Sequence, residues 1–332
     1  MKTALVTGAA GFIGYHCCAR LLRDGWQVIG VDAMTDYYDV VLKRARLANL
    51  PDGPFELVEG RLETPGLLQD LFDRHRPDLV VHLAAQAGVR YSLDNPRVYL
   101  DTNVTGTFEL LEAARWHPPA HTLLASSSSA YGAKTEMPYA ETDRADHQMS
   151  FYAATKKATE NLAHVYAHLH DLPITMFRFF TVYGPWGRPD MAPHKFTRAI
   201  LSGEPIDIYN HGDMQRDFTY VDDLVHALSL LVDQIPGEGP TITGDSLSPV
   251  APWRLVNIGN SAPVPLMEFI AAIEKATGRQ AIRNMMQMQP GDVPATWADA
   301  TLLQALTGYA PQTDLQTGID RFVSWFRAYY GL

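Results

Sequence analysis

The chain has 332 residues, of which 46% are hydrophobic and 19% charged, enough apolar material for a large core and too much for a disordered chain. Glycine (24) and proline (22) stay near average usage and exclude a collagenous or low-complexity chain. With 27 basic against 37 acidic residues the net charge is −10. The broad basic surface of a nucleic-acid-binding protein is therefore absent, and an anionic ligand would need a few focused cations.

Apolar runs without polar alternation, at residues 4–7, 28–32, 55–59, 79–83, 122–126 and 174–179, predict strands covered on both faces. Helical periods lie between them at 13–24, 66–74, 97–116 and 152–170. The alternation predicts an α/β fold, a Rossmann-type doubly wound parallel sheet. Beyond about Phe180 the rhythm gives way to a Pro/Gly-rich loop at 184–189 and a second loop-like stretch at 236–252. Further helices are predicted at 266–277 and 315–329. We expect two units, 1–180 and a smaller mixed α/β unit at 181–332, with later segments returning to the first. No internal repeat is visible.

The two cysteines, Cys17 and Cys18, are adjacent, so they form neither a disulfide framework nor a four-ligand zinc site. A reducing compartment and a packing role follow. The first strand runs straight into a glycine-rich loop, which leaves no room for a signal peptide. No uncharged apolar stretch approaches the roughly 20 residues of a membrane helix. The expectation is a soluble cytoplasmic protein with no membrane or nucleic-acid partner.

Thr7-Gly8-Ala9-Ala10-Gly11-Phe12-Ile13-Gly14 follows the first strand and opens the first helix. Gly8 allows the tight turn, Gly11 lets the backbone approach a pyrophosphate, and Gly14 permits close helix–strand packing. The spacing is GxxGxxG rather than GxGxxG, so its weight comes from the strand–loop–helix–strand context. Asp32 ends the second strand, where a carboxylate would bind the adenosine ribose hydroxyls. No Arg or Lys stands near Asp32 before Lys43 to receive a 2′-phosphate, which predicts NAD rather than NADP.

Tyr152 and Lys156 lie four apart at the head of a long predicted helix, so phenol and ammonium share one face. A phenol titrates near pH 10, and bringing it to about 7 requires roughly 4 kcal/mol of preference for the phenolate. A neighbouring ammonium and the positive nicotinamide are suitable sources. Ser126-Ser127-Ser128-Ser129-Ala130-Tyr131-Gly132 directly follows the fifth strand, at the carboxyl edge where such sheets bind ligands.

Taken together, the Thr7–Gly14 loop, Asp32, Asn103, Ser127, Tyr152 and Lys156 resemble an extended short-chain dehydrogenase/reductase of the NAD-dependent epimerase/dehydratase type. Five segments sharpen the resemblance: DAMTDYYDVVLKRARL at 32–47, HLAAQAGVRYS at 82–92, RFFTVYGPWGRPDM at 178–191, RDFTYVDD at 216–223 and GDVP at 291–294. These are similar to UDP-glucuronate 4-epimerases over nearly the whole chain. The resemblance implies NAD as cofactor, a UDP-sugar substrate and an isomerase that interconverts UDP-glucuronate and UDP-galacturonate through a transient 4-keto sugar. It also implies a homodimer built on the helices at 97–116 and 152–170.

Residue by residue, the resemblance implies that Tyr152 is the base, that Lys156 holds the nicotinamide ribose and tunes Tyr152, and that Ser127 hydrogen-bonds the C4 oxygen. Phe12, Ile13, Leu62, Ala84, Ala85 and Phe179 would line the cofactor, with Asn103 as a structural or cofactor-shell residue. Gln86, Arg90, Thr181 and Arg188 would lie near the sugar and its phosphates, Arg216 and Asp292 would fix diphosphate and ribose, and Tyr209 would face uracil. Three departures stand out. Arg61 replaces an acid before Leu62 that meets adenine, Gln289 replaces an Arg of galactose-type relatives, and Lys195 has no assigned role. Ser128 and Ser129 stand where dehydratases carry an Asp-Glu pair, so elimination lacks its acid. With Ser127 and Thr181 they could instead hold a sugar carboxylate, restraining a β-keto acid from losing CO₂. A UDP-glucose/UDP-galactose 4-epimerase and a non-catalytic NAD-binding protein remain as alternatives.

Other features read as structural. His164, His168 and His170 lack metal-partner motifs. Asp222 and Asp223 read as an N-cap, and Met285, Met286 and Met288 as core gap-fillers.

Overall fold

The computed structural model describes residues 1–239, 242–289 and 293–332. Its strands are β1 (Thr3–Thr7), β2 (Gln27–Asp32), β3 (Phe55–Glu59), β4 (Leu79–His82), β5 (His121–Ala125) and β6 (Ile174–Phe179). Then follow β7 (Thr181–Tyr183), β8 (Pro205–Ile208), β9 (Gln215–Tyr220) and β10 (Trp253–Ile258). The last three are β11 (Pro263–Pro265), β12 (Ile282–Met285) and β13 (Ala295–Thr296). The helices are α1 (Phe12–Arg23), α2 (Val40–Ala48), α3 (Leu67–His75), α4 (Tyr91–Asp94), α5 (Pro96–Tyr99) and α6 (Gly106–Trp116). In the second half come α7 (Phe151–His170), α8 (Ala192–Ser202), α9 (Val221–Leu231), α10 (Leu266–Thr277), α11 (Thr301–Thr307) and α12 (Leu315–Tyr330).

Seven strands form one sheet in the order β10-β6-β5-β4-β1-β2-β3, and every pairing in it is parallel. This is the doubly wound arrangement expected from the apolar runs. One face packs on α1, α9 and α11 through residues such as Cys18, Leu224 and Leu303. The other packs on α3, α6 and α7 through Leu71, Leu110 and Ala163. A third core, around Phe218, Phe269 and Phe322, binds α10 and α12 to β9. Cys17 and Cys18 are buried free thiols.

Several local expectations change. The 97–116 helix is interrupted by a π-helical segment, Leu100–Thr105, between α5 and α6. Asn103 sits in that segment and donates and accepts across to Gln86, a tertiary contact that helical periodicity does not encode. Asp222 and Asp223 occupy the first turn of α9 rather than its N-cap, which is Tyr220. The Asp223 carboxylate instead accepts from Tyr309 Oη and the Gln312 and Thr313 amides. Met285 and Met288 are 46% and 37% exposed rather than core fillers, because β12 pairs only with β8 and lies at the surface. The strand β10 was not foreseen; its hydrophobic run completes the sheet beside β6. Among the described residues no helix is long and apolar enough to cross a membrane.

Candidate active site

At the carboxyl ends of β1, β2, β4 and β5 a cavity of about 360 Å³ opens between the sheet and the 180–191 segment. Gly8, with φ +72°, turns the chain out of β1, and its amide donates to Val31 O at 2.7 Å. A Cβ on Gly14 would lie 2.0 Å from Gly8 O, so only glycine lets α1 start this close to the loop. The first-turn amides of α1 thereby face the cavity, a suitable place for pyrophosphate. Gly11, Phe12, Ile13, Leu62, Ala84, Ala85 and Phe179 line the same space.

Asp32 stands at the end of β2 with one carboxylate oxygen accepting from Ala10 N at 3.0 Å and the other from Met34 N at 2.8 Å. Lys43 departs from its sequence separation. The helix α2 brings its buried Nζ to 3.7 Å from Asp32 Oδ1 and 3.2 Å from Thr35 Oγ1. A cation thus stands beside the cavity, already matched by Asp32. Arg61 donates to Glu63 at 2.6 Å and both line the cavity, so an acid is present one residue after Leu62 rather than one before.

Tyr152 and Lys156 occupy the first turns of α7, whose N-cap Ser150 accepts from Ala153 N at 3.1 Å. Both line the cavity. Burial raises the Tyr152 pKa, while a hydrogen bond with Ser127 and the Arg188 charge pull it down. Burial pushes Lys156 down to about 8, opposed by Glu160. Lys156 Nζ donates to Ala125 O at 2.9 Å, anchoring the ammonium at the end of β5. Ser127 also accepts from Ser129 N at 3.2 Å, which fixes the hydroxyl at the head of a 3-10 turn, Ser128–Tyr131.

Beneath this group lies a buried pair that the sequence reading did not single out. Glu160 accepts from Ser126 Oγ at 2.6 Å and takes Arg178 Nε and Nη2, each at 2.7 Å. The Arg178 guanidinium lies 4.2 Å from the Tyr131 ring centroid. Glu160 follows Lys156 by four residues on α7, the one signal that could have exposed it.

Arg188 lines the cavity from the other side, pairing with the Asp190 carboxylate, which also accepts from Tyr37 Oη at 3.3 Å. Gln86 is on the wall as well. Asn103 is not: it is buried behind the wall, with Nδ2 3.0 Å from Thr155 Oγ1, and holds the Gln86 backbone. Ser128, Ser129 and Thr181 are half-buried at the ends of β5 and β6. The Arg90 guanidinium stacks 4.4 Å from the Tyr209 ring centroid, so these two distant residues meet. Arg216 donates to Val293 O at 2.8 Å and Pro294 O at 3.1 Å. Asp292 lies outside the described residues. His164 pairs with Ser248 Oγ and His168 with Val250 O.

The glycine cradle, the Asp32 carboxylate at the end of β2 and the adjoining Tyr152–Lys156 pair are compatible with a bound dinucleotide. The model of a family described as NAD dependent epimerase/dehydratase matches residues 4–242. The chain belongs to that family. Within it, a probable UDP-glucuronate 4-epimerase of Rhizobium meliloti is 52% identical over 331 residues, 98% of this chain and 97% of the relative. UDP-glucuronate 4-epimerase 2 of Arabidopsis thaliana is 46% identical, covering 99% of this chain and 76% of the relative. The crystal structure of UDP-glucuronic acid 4-epimerase from Bacillus cereus, in complex with UDP-glucuronic acid and NAD, superposes with a TM-score of 0.88. It is 31% identical and the match covers 99% of this chain and 100% of that one.

Proposed function

We infer that this member of the family is an isomerase that interconverts UDP-glucuronate and UDP-galacturonate by inverting carbon 4 through a transient 4-keto sugar. What carries the reading is one cavity lined at once by the glycine loop, by Tyr152 and Lys156, and by Arg188. The high identity to UDP-glucuronate 4-epimerases along the full chain supports the substrate. Gly8, Gly11, Phe12, Ile13 and Gly14 would hold the NAD pyrophosphate, with Asp32 and Lys43 at the adenosine ribose and Lys156 at the nicotinamide ribose. When bound, NAD supplies reversible two-electron chemistry at carbon 4.

The chain's own residues handle the proton and the geometry. Tyr152 exchanges a proton with the C4 oxygen, and Ser127 hydrogen-bonds that oxygen and the phenol in turn. Ser127 and Arg188 favour the phenolate and oppose the burial that raises the Tyr152 pKa. Gln86, Arg90, Thr181, Arg188, Tyr209, Arg216 and Asp292 form the sugar-nucleotide side, where the arginines focus positive charge within an acidic chain. Ser128 and Ser129 hold the C6 carboxylate away from the alignment that would expel CO₂.

We read residues 1–180 as the NAD-binding unit and 181–332 as the sugar-nucleotide unit, with β10 returned to the first. The exposed apolar side chains Phe108 and Trp116 on α6, and Val165 and Leu169 on α7, support a homodimer joined through these helices. Sedimentation of the purified chain tests it. Two buried free thiols support a cytoplasmic site of action. The deciding experiment incubates the protein separately with UDP-glucuronate and UDP-glucose and reads the products by NMR. Conversion of UDP-glucuronate is expected; conversion of UDP-glucose alone would overturn the substrate.

A further inference from the structure

Arg46, on α2, is fully buried at 0% exposure, yet among the described residues no carboxylate pairs with it. Its five N–H groups are all engaged. Nη1 donates to Ala10 O at 2.9 Å and Tyr38 Oη at 2.7 Å. Nη2 donates to Trp186 O at 2.7 Å and Gly187 O at 3.4 Å, and Nε donates to Trp186 O at 3.1 Å. Burying a guanidinium without a counter-ion costs several kcal/mol unless every donor finds an acceptor. Here three backbone carbonyls and a phenol meet that demand, and the carbonyls come from two otherwise separate loops.

Ala10 belongs to the glycine loop, and its amide is already tied to Asp32. Trp186 and Gly187 immediately precede Arg188. Trp186 is held at φ +64°, a left-handed conformation costly for a large side chain, so its environment must impose it. Its ring packs on Tyr15, Trp325 and Tyr329, and its carbonyl takes two Arg46 donors. The same stretch of chain reaches Arg188 a second time, through Tyr37 on Asp190.

We propose that Arg46 is a positioning residue for the sugar nucleotide: its guanidinium clamps the Trp186–Gly187 turn to the cofactor loop and so sets where Arg188 stands relative to the bound cofactor. The assignment rests on the function proposed above, with Arg188 on the substrate side. Lysine at this position keeps the charge, but its single nitrogen cannot span carbonyls on two loops. Methionine keeps much of the volume and leaves three carbonyls without donors.

The test uses the NAD-loaded holoenzyme. Arg46→Lys, Arg46→Met, Arg188→Ala and the double variant Arg46→Lys/Arg188→Ala are compared with wild type. Titration calorimetry with UDP-glucuronate, KM, kcat, NAD content and thermal midpoint are measured. Arg46→Lys is expected to retain NAD while weakening UDP-glucuronate binding and raising KM by about tenfold, with a smaller change in kcat. In the Arg188→Ala background the same substitution should weaken binding less than about twofold, because a residue acting through another adds nothing once that one is gone. A purely structural role would lower the thermal midpoint and scale kcat with the folded fraction, leaving KM and the dissociation constant unmoved; that result overturns the assignment. So do losses that multiply in the double variant. If Arg46→Met does not fold, the Arg46→Lys cycle alone decides. Wild-type holoenzyme that neither binds nor converts UDP-glucuronate would sink the proposed function and this assignment with it, whereas failure confined to the variants sinks only the latter.

Discussion

The proposed site has two walls of different construction. On the sheet side, Tyr152, Lys156 and Ser127 are buried, and Lys156 and Ser127 are bonded to backbone within the same few residues. Below them Glu160 and Arg178 form a buried ion pair, which the half-buried Lys157 joins with its Nζ 3.1 Å from Glu160. On the far side, outside the residues that line the cavity, Arg90 is exposed, Tyr209 and Arg216 are half-buried, and Arg216 is bonded to the carbonyls of a neighbouring loop. The difference suits the chemistry proposed for each wall. Proton transfer needs groups held to a fraction of an ångström, which packed secondary structure provides. A flexible diphosphate needs charge at the right distance, and loops can supply it.

Four measurements would break or sharpen this contrast. The largest effect is expected at the rigid wall: Tyr152→Phe should lower turnover of UDP-glucuronate by about 10³-fold with bound NAD unchanged. Near-normal activity would remove the phenol from the reaction. Next, Arg178→Met should cost about 3 kcal/mol in urea unfolding, because it leaves the buried Glu160 charge with only Lys157 and the Ser126 hydroxyl. Arg216→Ala on the open wall should change stability by less than about 1 kcal/mol and act mainly on KM. Equal stability losses from both would erase the distinction.

A smaller effect concerns acid. Burial pushes His82, bonded to Thr7 and Thr107 under the cavity floor, down to about 3 and His121 down to about 4. Below the ordinary histidine range the unfolded chain gains protons that the folded chain refuses, so stability is lost as pH falls. From about pH 6.5 to about 5.5 each should contribute roughly 1 kcal/mol of that loss, and His82→Asn should remove its share. A flat stability profile in wild type would show that the rigid wall tolerates charge. Last, Ser128→Ala/Ser129→Ala should raise UDP-pentose or CO₂ release a few-fold. Unchanged product partition would leave the carboxylate held by other groups.

Much of the rigid wall was legible in advance. Strand ends at Asp32 and Ala125, the glycine loop and the four-residue step from Tyr152 to Lys156 are local patterns. The structure displays them within a residue or two of the expected bounds. The open wall was legible only by likeness to relatives, since nothing in the spacing of Arg90 and Tyr209 tells that they stack. Helix α2 lies within the 32–47 segment, whose local pattern does not show where Lys43 or Arg46 ends up. Lys43 follows Asp32 by 11 residues, yet one helix carries it back.

The sequence by itself determined the parallel sheet, the glycine loop and the Tyr152–Lys156 pair, because each depends on short apolar runs, a period of 3.6 or spacings of a few residues. Tertiary structure alone decided three further things: that β10 closes the sheet, that Lys43 pairs with Asp32, and that Arg46 joins Ala10 to Trp186. These contacts span from 11 to 140 residues of chain. They are fixed by burial and by the requirement that every buried donor find an acceptor, conditions that exist only once the chain is packed.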